Sequence, residues 1–259
     1  TKVGTRAFAN CDSLISVTIP ESVTVIGNEA FSNSTVKGEL TLPSNLTTIG
    51  EGAFNGCANL TSINIPEGIT EIKGSTFNYC SKLTSINVEG EITSIGGTAF
   101  SGAGLISIDN LLTNLTDIPI QCFRQMPNLK EVEIPARIKY IGQTAFYGCS
   151  SLEKVIIRGA ETFVGQTFDG CPKLKTLFLP NTLKSCGGLF TFYSSHNLEY
   201  VTLEQDFNCG DLDLSRSTLY SQDTLHAMID ALKQRGDDEE KYTLTLGTAN
   251  LEKISDEYK

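Results

Sequence analysis

One aromatic position recurs along the chain at a fixed interval. Phenylalanine stands at every 23rd residue over seven successive positions: Phe8, Phe31, Phe54, Phe77, Phe100, Phe123 and Phe146. The next two intervals are 22 and 24 residues, to Phe168 and Phe192. A solenoid requires such spacing, because each turn must offer the same buried side chain to the turns beside it. The spacing therefore predicts an α/β repeat solenoid.

Each repeat also contains a short run of alternating apolar residues. In residues 50–72 this run is Leu60-x-x-Ile63-x-Ile65, which has the period of two expected of a half-buried β-strand. Equivalent runs begin at Leu14, Leu83, Leu129, Leu152, Leu174 and Leu198. Stacked, they predict one parallel sheet with a concave outer face. Glycine and proline punctuate the remainder, so we expect turns with short 3₁₀ or helical pieces on the convex side.

The complete repeat matches a known type. The pattern L-x-x-I-x-I-P-x-x-V-x-x-I-G-x-x-A-F-x-x-C, carried by residues 14–31 and 60–80, resembles the BspA-like class of bacterial leucine-rich repeats. The resemblance extends over about residues 1–209. It implies a leucine-rich-repeat fold and a secreted or cell-surface protein that binds host or matrix proteins or glycans.

The pattern divides the chain into two parts. Residues 1–209 form the predicted solenoid of about nine repeats, the first incomplete at its start, and residues 210–259 form a C-terminal capping segment. A chain that starts inside a repeat indicates a piece of a longer or processed protein. In the cap, Ser221 is a candidate N-cap for a helix that ends near Gly236. Its predicted apolar stripe is Leu225, Met228, Ile229 and Leu232.

Shorter elements flank this helix. We expect strands at residues 212–214 and 242–246, a charged turn at 237–241, and a second helix starting near Asn250. One repeat is irregular, because Leu105 and Ile108 arrive one residue early and extra leucines follow at 111, 112 and 115. A local bulge or kink is expected there.

Charge narrows the classes of partner. The net charge is −10, with 13 acidic and six basic residues in 204–259 giving −7 and the rest giving −3. Because this is the wrong sign for a phosphate backbone and no basic cluster occurs, nucleic-acid binding is disfavoured. No apolar stretch approaches the roughly 18 residues of a membrane span. A monomer without a membrane span in this chain is expected.

Cysteines and histidines offer no chemistry. Five of the eight cysteines occupy one repeat position, three residues after the phenylalanine: Cys11, Cys57, Cys80, Cys149 and Cys171. We interpret them as buried thiols rather than disulfides, since small residues replace them elsewhere. No spaced cysteine or histidine pairs suggest a metal, and His196 and His226 lack catalytic neighbours. We therefore expect neither cofactor nor enzymatic activity.

The outward strand positions remain as the candidate site. In the first repeats they are serine, threonine and asparagine, whereas later ones carry apolar and charged residues. The predicted ligand-binding residues are Glu131, Glu133, Lys154, Ile156, Arg158, Phe178 and Tyr200. Aromatic residues rimmed by charge are typical of interfaces. Two structural explanations stay open: Phe178 packs beneath the cap, or it pairs with Ile156 across strands.

Three functional classes follow from these patterns. The first is an extracellular or cell-surface adhesion module that binds a protein or glycan on its concave face. The second is a passive stalk or scaffold within a longer surface protein. The third is a repeat scaffold attached to a catalytic domain outside this chain.

Overall fold

The structure is a computed structural model that describes residues 1–186, 191–210, 212–232 and 243–256. The chain divides into two compact units, Thr1–Leu129 and Lys130–Lys259, called unit 1 and unit 2. Each unit consists of parallel turns stacked in register, the leucine-rich-repeat solenoid expected from the sequence. Fully buried phenylalanine and leucine or isoleucine side chains fill both cores.

Unit 1 contains a parallel sheet of three longer strands and a set of two-residue strands. The sheet consists of β3 (Gly38–Leu40), β5 (Leu60–Ile65) and β7 (Ser85–Val88). The short strands are β1 (Lys2–Val3), β2 (Val25–Ile26), β4 (Thr48–Ile49), β6 (Glu71–Ile72), β8 (Ser94–Ile95) and β9 (Asp117–Ile118). One helical turn, α1 (Asp109–Leu112), lies between β8 and β9.

Unit 2 repeats this arrangement with four longer strands. They are β10 (Glu131–Ile134), β12 (Lys154–Ile157), β14 (Thr176–Leu179) and β16 (Tyr200–Leu203), in that order in one parallel sheet. The short strands are β11 (Tyr140–Ile141), β13 (Thr162–Phe163) and β15 (Ser185–Cys186). They form a separate parallel ladder, in which β11 pairs with β13 and β13 pairs with β15. The remaining elements are β17 (Leu212–Asp213), α2 (Gln222–Asp230), β18 (Leu244–Thr245) and α3 (Thr248–Leu251).

The recurring phenylalanines form stacks, as their spacing predicts. In unit 1, six rings from Phe8 to Phe123 stack in sequence, with centroid separations of 5.2–5.9 Å. In unit 2, Phe168 stacks on Phe146 at 5.3 Å and on Phe192 at 5.8 Å. The intervals of 22 and 24 residues therefore leave the ring stack intact, because the change is absorbed elsewhere in the turn.

The turn around each phenylalanine has an alternating backbone. Residues two before and two after the ring adopt positive φ, as at Ser75 (56°) and Tyr79 (55°) around Phe77. The amides of these three residues donate to carbonyls of the following turn, at Gly97, Ala99 and Ser101. Glycine occupies several of these positions because it adopts positive φ without steric penalty. Sequence reasoning did not predict this hydrogen-bonded ladder.

Proline and glycine positions have separate structural causes. The carbonyl of each proline that follows a strand accepts from the amide three residues later, as Pro66 does from Ile69 at 3.0 Å. This closes the P-x-x-V turn that ends the strand.

At the start of the repeat, a Cβ on Gly27 would lie 2.6 Å from the Thr5 amide nitrogen, so a side chain is excluded by the neighbouring turn.

The return path contains the expected turns around each phenylalanine and, in addition, short strands that the sequence did not predict. In both units it carries a second parallel ladder of two-residue strands, such as β2 paired with β4 through Ile26 and Ile49. A buried isoleucine anchors most of the short strands to the core, and Phe163 and Cys186 take its place in β13 and β15. Backbone hydrogen bonds between successive turns form there, because each turn has the same extended conformation as its neighbour.

The irregular repeat forms a helix instead of the expected bulge or kink. Its extra leucines are buried, with Leu111 and Leu112 on α1 and Leu115 just beyond it. Asn110 on this helix donates its Nδ2 to the Ile86 carbonyl of β7 at 2.9 Å. The side chain thus satisfies an acceptor that a paired strand would otherwise have used.

The C-terminal elements largely follow the predictions. The Ser221 Oγ accepts from the Thr224 amide and caps α2, whose Leu225 and Met228 are buried. The helix ends at Asp230, before the predicted end, because Leu232 forms a parallel bridge with Phe207. Strands β17 and β18 pair, and α3 starts two residues before Asn250. Gly236, Tyr242 and the charged turn lie outside the described residues.

Candidate binding surface

The candidate site is the outward face of the four-stranded sheet in unit 2. Along each strand, buried and accessible residues alternate, as in β10, where Val132 and Ile134 are buried while Glu131 and Glu133 are exposed. The alternation follows from the pleat, which directs successive side chains to opposite faces. Two parallel rows of outward side chains result, and we call this surface the unit 2 face.

The structure brings the seven predicted residues together on this face. The first row runs Glu131, Lys154, Thr176, Tyr200 in strand register. The second row runs Glu133, Ile156, Phe178, Thr202. Arg158 follows directly after β12 and reaches back over the second row. The sequence therefore located these side chains correctly, although their binding role stays a prediction.

The charged residues form two ion pairs between β10 and β12. Lys154 Nζ lies 3.6 Å from Glu131 Oε2, and Arg158 Nε donates to Glu133 Oε1 at 2.8 Å. All four side chains remain exposed to solvent, by 45–71%. Exposed pairs of this kind contribute about 0–1 kcal/mol each to stability. Their main effect is that opposite charges lie next to each other between β10 and β12, so this part of the unit 2 face carries no net charge.

The apolar residues of this face are only partly exposed. Ile156 and Phe178 are register partners on adjacent strands and are both half-buried. The Arg158 guanidinium carbon lies 5.3 Å from the centroid of the Phe178 ring. The cross-strand pair expected as one structural explanation is therefore present. Tyr200 differs, since 61% of its surface is exposed, and it is the most prominent aromatic side chain of the face.

Sequence reasoning missed a depression on the sheet of unit 1. It has a volume of about 310 Å³ and is lined by Glu39, Ser62, Ile63, Asn64, Ser85, Ile86 and Asn87. We call this depression the polar groove. The signal in the sequence was the run of short side chains at equivalent positions, which leaves space between longer neighbours.

The cysteines carry thiols, and their repeat position has a hydrogen-bonding role. Cys80 Sγ donates to the Phe54 carbonyl at 3.1 Å, and Cys57 Sγ does the same to Phe31 at 3.1 Å. Seven of the eight side chains are buried, and Cys11 is partly accessible. Burial raises the pKa of the Cys57, Cys80 and Cys122 thiols. These groups are poor nucleophiles, because the thiolate is the reactive form.

Both histidines have hydrogen-bonding contacts in the described part of the chain. His196 Nδ1 lies 3.2 Å from the Arg216 carbonyl oxygen, and His226 Nε2 lies 3.3 Å from Ser255 Oγ. Among the described residues, no three histidine, cysteine, aspartate or glutamate side chains converge as metal ligands. Within the same residues, no helix is both long and apolar enough to cross a membrane.

The solved structures similar to this chain include bacterial leucine-rich repeat proteins. A leucine-rich cell surface protein from Faecalibacterium prausnitzii A2-165 aligns with 91% of this chain and 61% of its own, at 21% identity and a TM-score of 0.51. A leucine-rich repeat protein from Bacteroides ovatus aligns with 85% of this chain and 59% of its own, at 23% identity and 0.51. One from Eubacterium ventriosum aligns with 96% and 79%, at 18% identity and 0.53.

These likenesses are to the fold alone, and the chain spans about 60% of the length of the first two proteins. Curated protein sequences give no significant match. The family comparison is more specific. Six copies of the BspA type leucine rich repeat region match residues 1–125 and 104–214, which together cover most of the sequence. The chain belongs to the BspA-type leucine-rich repeat family.

Proposed function

We propose that this chain is a non-enzymatic, secreted or cell-surface binding module whose unit 2 face binds a protein or glycan. The observation that supports it is the grouping on one regular sheet of an exposed tyrosine, a half-buried phenylalanine and two ion pairs. Tyrosine and arginine are enriched among the residues that dominate binding energy at interfaces. The sheet holds them rigidly, so little side-chain entropy is lost when a partner binds.

The family and the surface support the location and the type of partner. The Faecalibacterium protein with this fold is described as a cell surface protein. Tyr200 offers a broad ring with a polar hydroxyl, while the flanking Thr176 and Thr202 add hydroxyl groups in register. Such a surface suits a host or matrix protein, or a glycan that stacks on the ring. The partners of a longer protein that contains this chain form part of the same proposal.

Substitution of the aromatic residues tests this function. The purified chain is screened by biolayer interferometry against immobilised host extracellular-matrix proteins and an oligosaccharide array. For any bound probe, we expect Tyr200→Ala and Phe178→Ala to weaken binding at least tenfold, because they remove the apolar contact area. The matched control is Tyr140→Ala, since Tyr140 is 44% exposed on a short strand of the same unit.

The alternative is a passive stalk or scaffold within a longer surface protein. It is favoured by the internal pairing of the face, where Ile156 covers Phe178 and both basic side chains already contact glutamates. A stalk predicts no binding to any probe. Unchanged affinity in the Tyr200→Ala and Phe178→Ala variants would show that a bound partner uses another surface. Circular dichroism confirms that each variant is folded.

A further inference from the structure

The polar groove in unit 1 owes its shape to short side chains in register. Ser62 faces Ser85 on the next strand, and Asn64 faces Asn87. A longer side chain stands on one side of these pairs, because Glu39 of β3 is the register partner of Ser62. The four short side chains therefore leave a trough across three strands.

One wall of the groove is held in a fixed orientation. Asn64 Oδ1 accepts from the Leu42 amide at 2.8 Å, and its Nδ2 donates to Glu89 Oε1 at 3.4 Å. These two bonds assign the oxygen and nitrogen of the amide. Each amide group can make about two bonds through its oxygen and two through its nitrogen. One acceptor position and one N–H therefore remain for a ligand.

The outward side chains of the groove are all polar. The side chains of Ser62, Ser85 and Asn87 supply hydroxyl and amide groups that both donate and accept. Ile63 and Ile86 lie between these outward positions, and their side chains belong to the buried core, with only 2% and 7% exposed. None of the seven lining residues is basic, and Glu39 is acidic. A ligand that fits this lining is uncharged and rich in hydroxyl groups.

We propose that the polar groove is a binding site for a neutral oligosaccharide. Sugar hydroxyls match the mixed donors and acceptors of serine and asparagine. The volume of about 310 Å³ lies at the lower end of small-ligand sites, which begin near roughly 300 Å³. The carboxylate of Glu39 and the acidic net charge disfavour sialylated or sulfated glycans.

A peptide fits this place less well than a sugar. Peptides commonly bind a sheet by adding a strand at an open edge. Two carbonyls at the edge formed by β7 and the residue before it already have partners, because Thr84 accepts from the Ile106 amide and Ile86 accepts from Asn110 Nδ2. The lining also lacks an exposed aromatic side chain that could anchor a peptide. These contacts favour a glycan over a protein segment.

The test uses an oligosaccharide array with neutral, sialylated and sulfated members, followed by titration calorimetry with the tightest neutral binder. We expect neutral glycans to bind, and Asn87→Ala and Ser85→Tyr each to weaken binding at least tenfold. Ser85→Tyr fills the trough. The matched control is Ser94→Tyr, which places the same side chain at an exposed strand position of the same repeat, outside the groove. This variant binds like the unmodified chain.

The outcomes separate this site from the unit 2 face. Loss of binding in Ser85→Tyr with full binding in Tyr200→Ala supports the groove. The opposite result overturns the groove and leaves the proposed function intact. Failure to bind any neutral oligosaccharide, or preference for acidic ones, also overturns it. Binding of a matrix protein that Ser85→Tyr abolishes would replace the glycan with a protein partner and contradict the proposal.

Discussion

Single phenylalanines hold neighbouring turns together through their two ring faces. Phe77 is fully buried, with its centroid 5.7 Å from Phe54 and 5.4 Å from Phe100. Phe77→Ala leaves a cavity on both sides, and we expect the free energy of unfolding to fall by about 3–5 kcal/mol. Urea titration followed by circular dichroism measures the change. Phe8→Ala is the control, because Phe8 is 37% exposed and should lose less than half as much. Equal losses would contradict the stacked core.

Cysteine accessibility makes a second residue-scale prediction. Cys11 is partly accessible, whereas Cys80 and Cys122 are fully buried, and burial raises the pKa of both of those thiols. Native protein treated with iodoacetamide at pH 8 should therefore be alkylated at Cys11 first. Mass spectrometry of tryptic peptides measures each site. The buried thiols should react at the same rate as Cys11 once urea unfolds the chain. Fast labelling of native Cys80 would disprove this packing.

The sequence predicted which residues are buried better than why they are buried. The recurrence of phenylalanine was enough to place it in the core, since each turn must bury an equivalent side chain. The preference for cysteine three residues later has a further cause, because the thiol donates to a carbonyl of the preceding turn. That acceptor is 26 residues away, so no local pattern reveals it.

The turn around the phenylalanine gives a prediction at the scale of one element. Gly56 has a φ of 72°, and a Cβ there would overlap with Asn33 Oδ1 of the preceding turn. We expect Gly56→Ala to lower the free energy of unfolding by about 1–3 kcal/mol through backbone strain and this overlap. Gly4→Ala is the matched control, because a Cβ at Gly4 meets nothing within 4 Å. Thermal melts compare the two, and similar melting temperatures would contradict the assignment.

Elements were predictable in proportion to their length. The six residues of β5 show clear alternation, and the structure has a strand there. Two-residue strands such as β6 are too short for alternation to appear, so the second ladder was not expected. Helix α1 spans four residues and depends on Asn110 reaching the Ile86 carbonyl. That contact joins separate turns and has no sequence signature.

The two units present outward faces of different chemistry. The period of two along β10 to β16 was enough to place seven side chains on one face, because alternation fixes which residues point outward. Their exposure was not predictable, since the cover on Phe178 comes from Arg158, a residue beyond the neighbouring strand. The polar groove was missed for the opposite reason. Its shape depends on the small size of its serine and asparagine side chains, and such residues form no distinctive pattern in the sequence.

At the scale of the whole molecule, we expect the buried tyrosine and cysteine side chains to make the protein less stable at alkaline pH. Burial raises the pKa of Tyr220 above its usual value of 10.0 and those of Cys57, Cys80 and Cys122 above 9.0. Above those values the unfolded chain loses protons that the folded chain keeps. The unfolded state is then favoured, and the free energy of unfolding falls as pH rises from about 9 towards 11.

Tyr220→Phe separates this effect from general charge repulsion. Tyr220 donates its hydroxyl to the Leu214 carbonyl at 3.1 Å, so the variant should be less stable by about 1 kcal/mol at pH 8. It lacks the phenolic proton, however, so its stability should fall less steeply than that of the unmodified chain between pH 9.5 and 11. Urea titrations at half-unit intervals of pH measure both slopes. Parallel slopes would mean that Tyr220 ionises equally easily in the folded and unfolded states. That result would contradict the effect expected from its burial in unit 2.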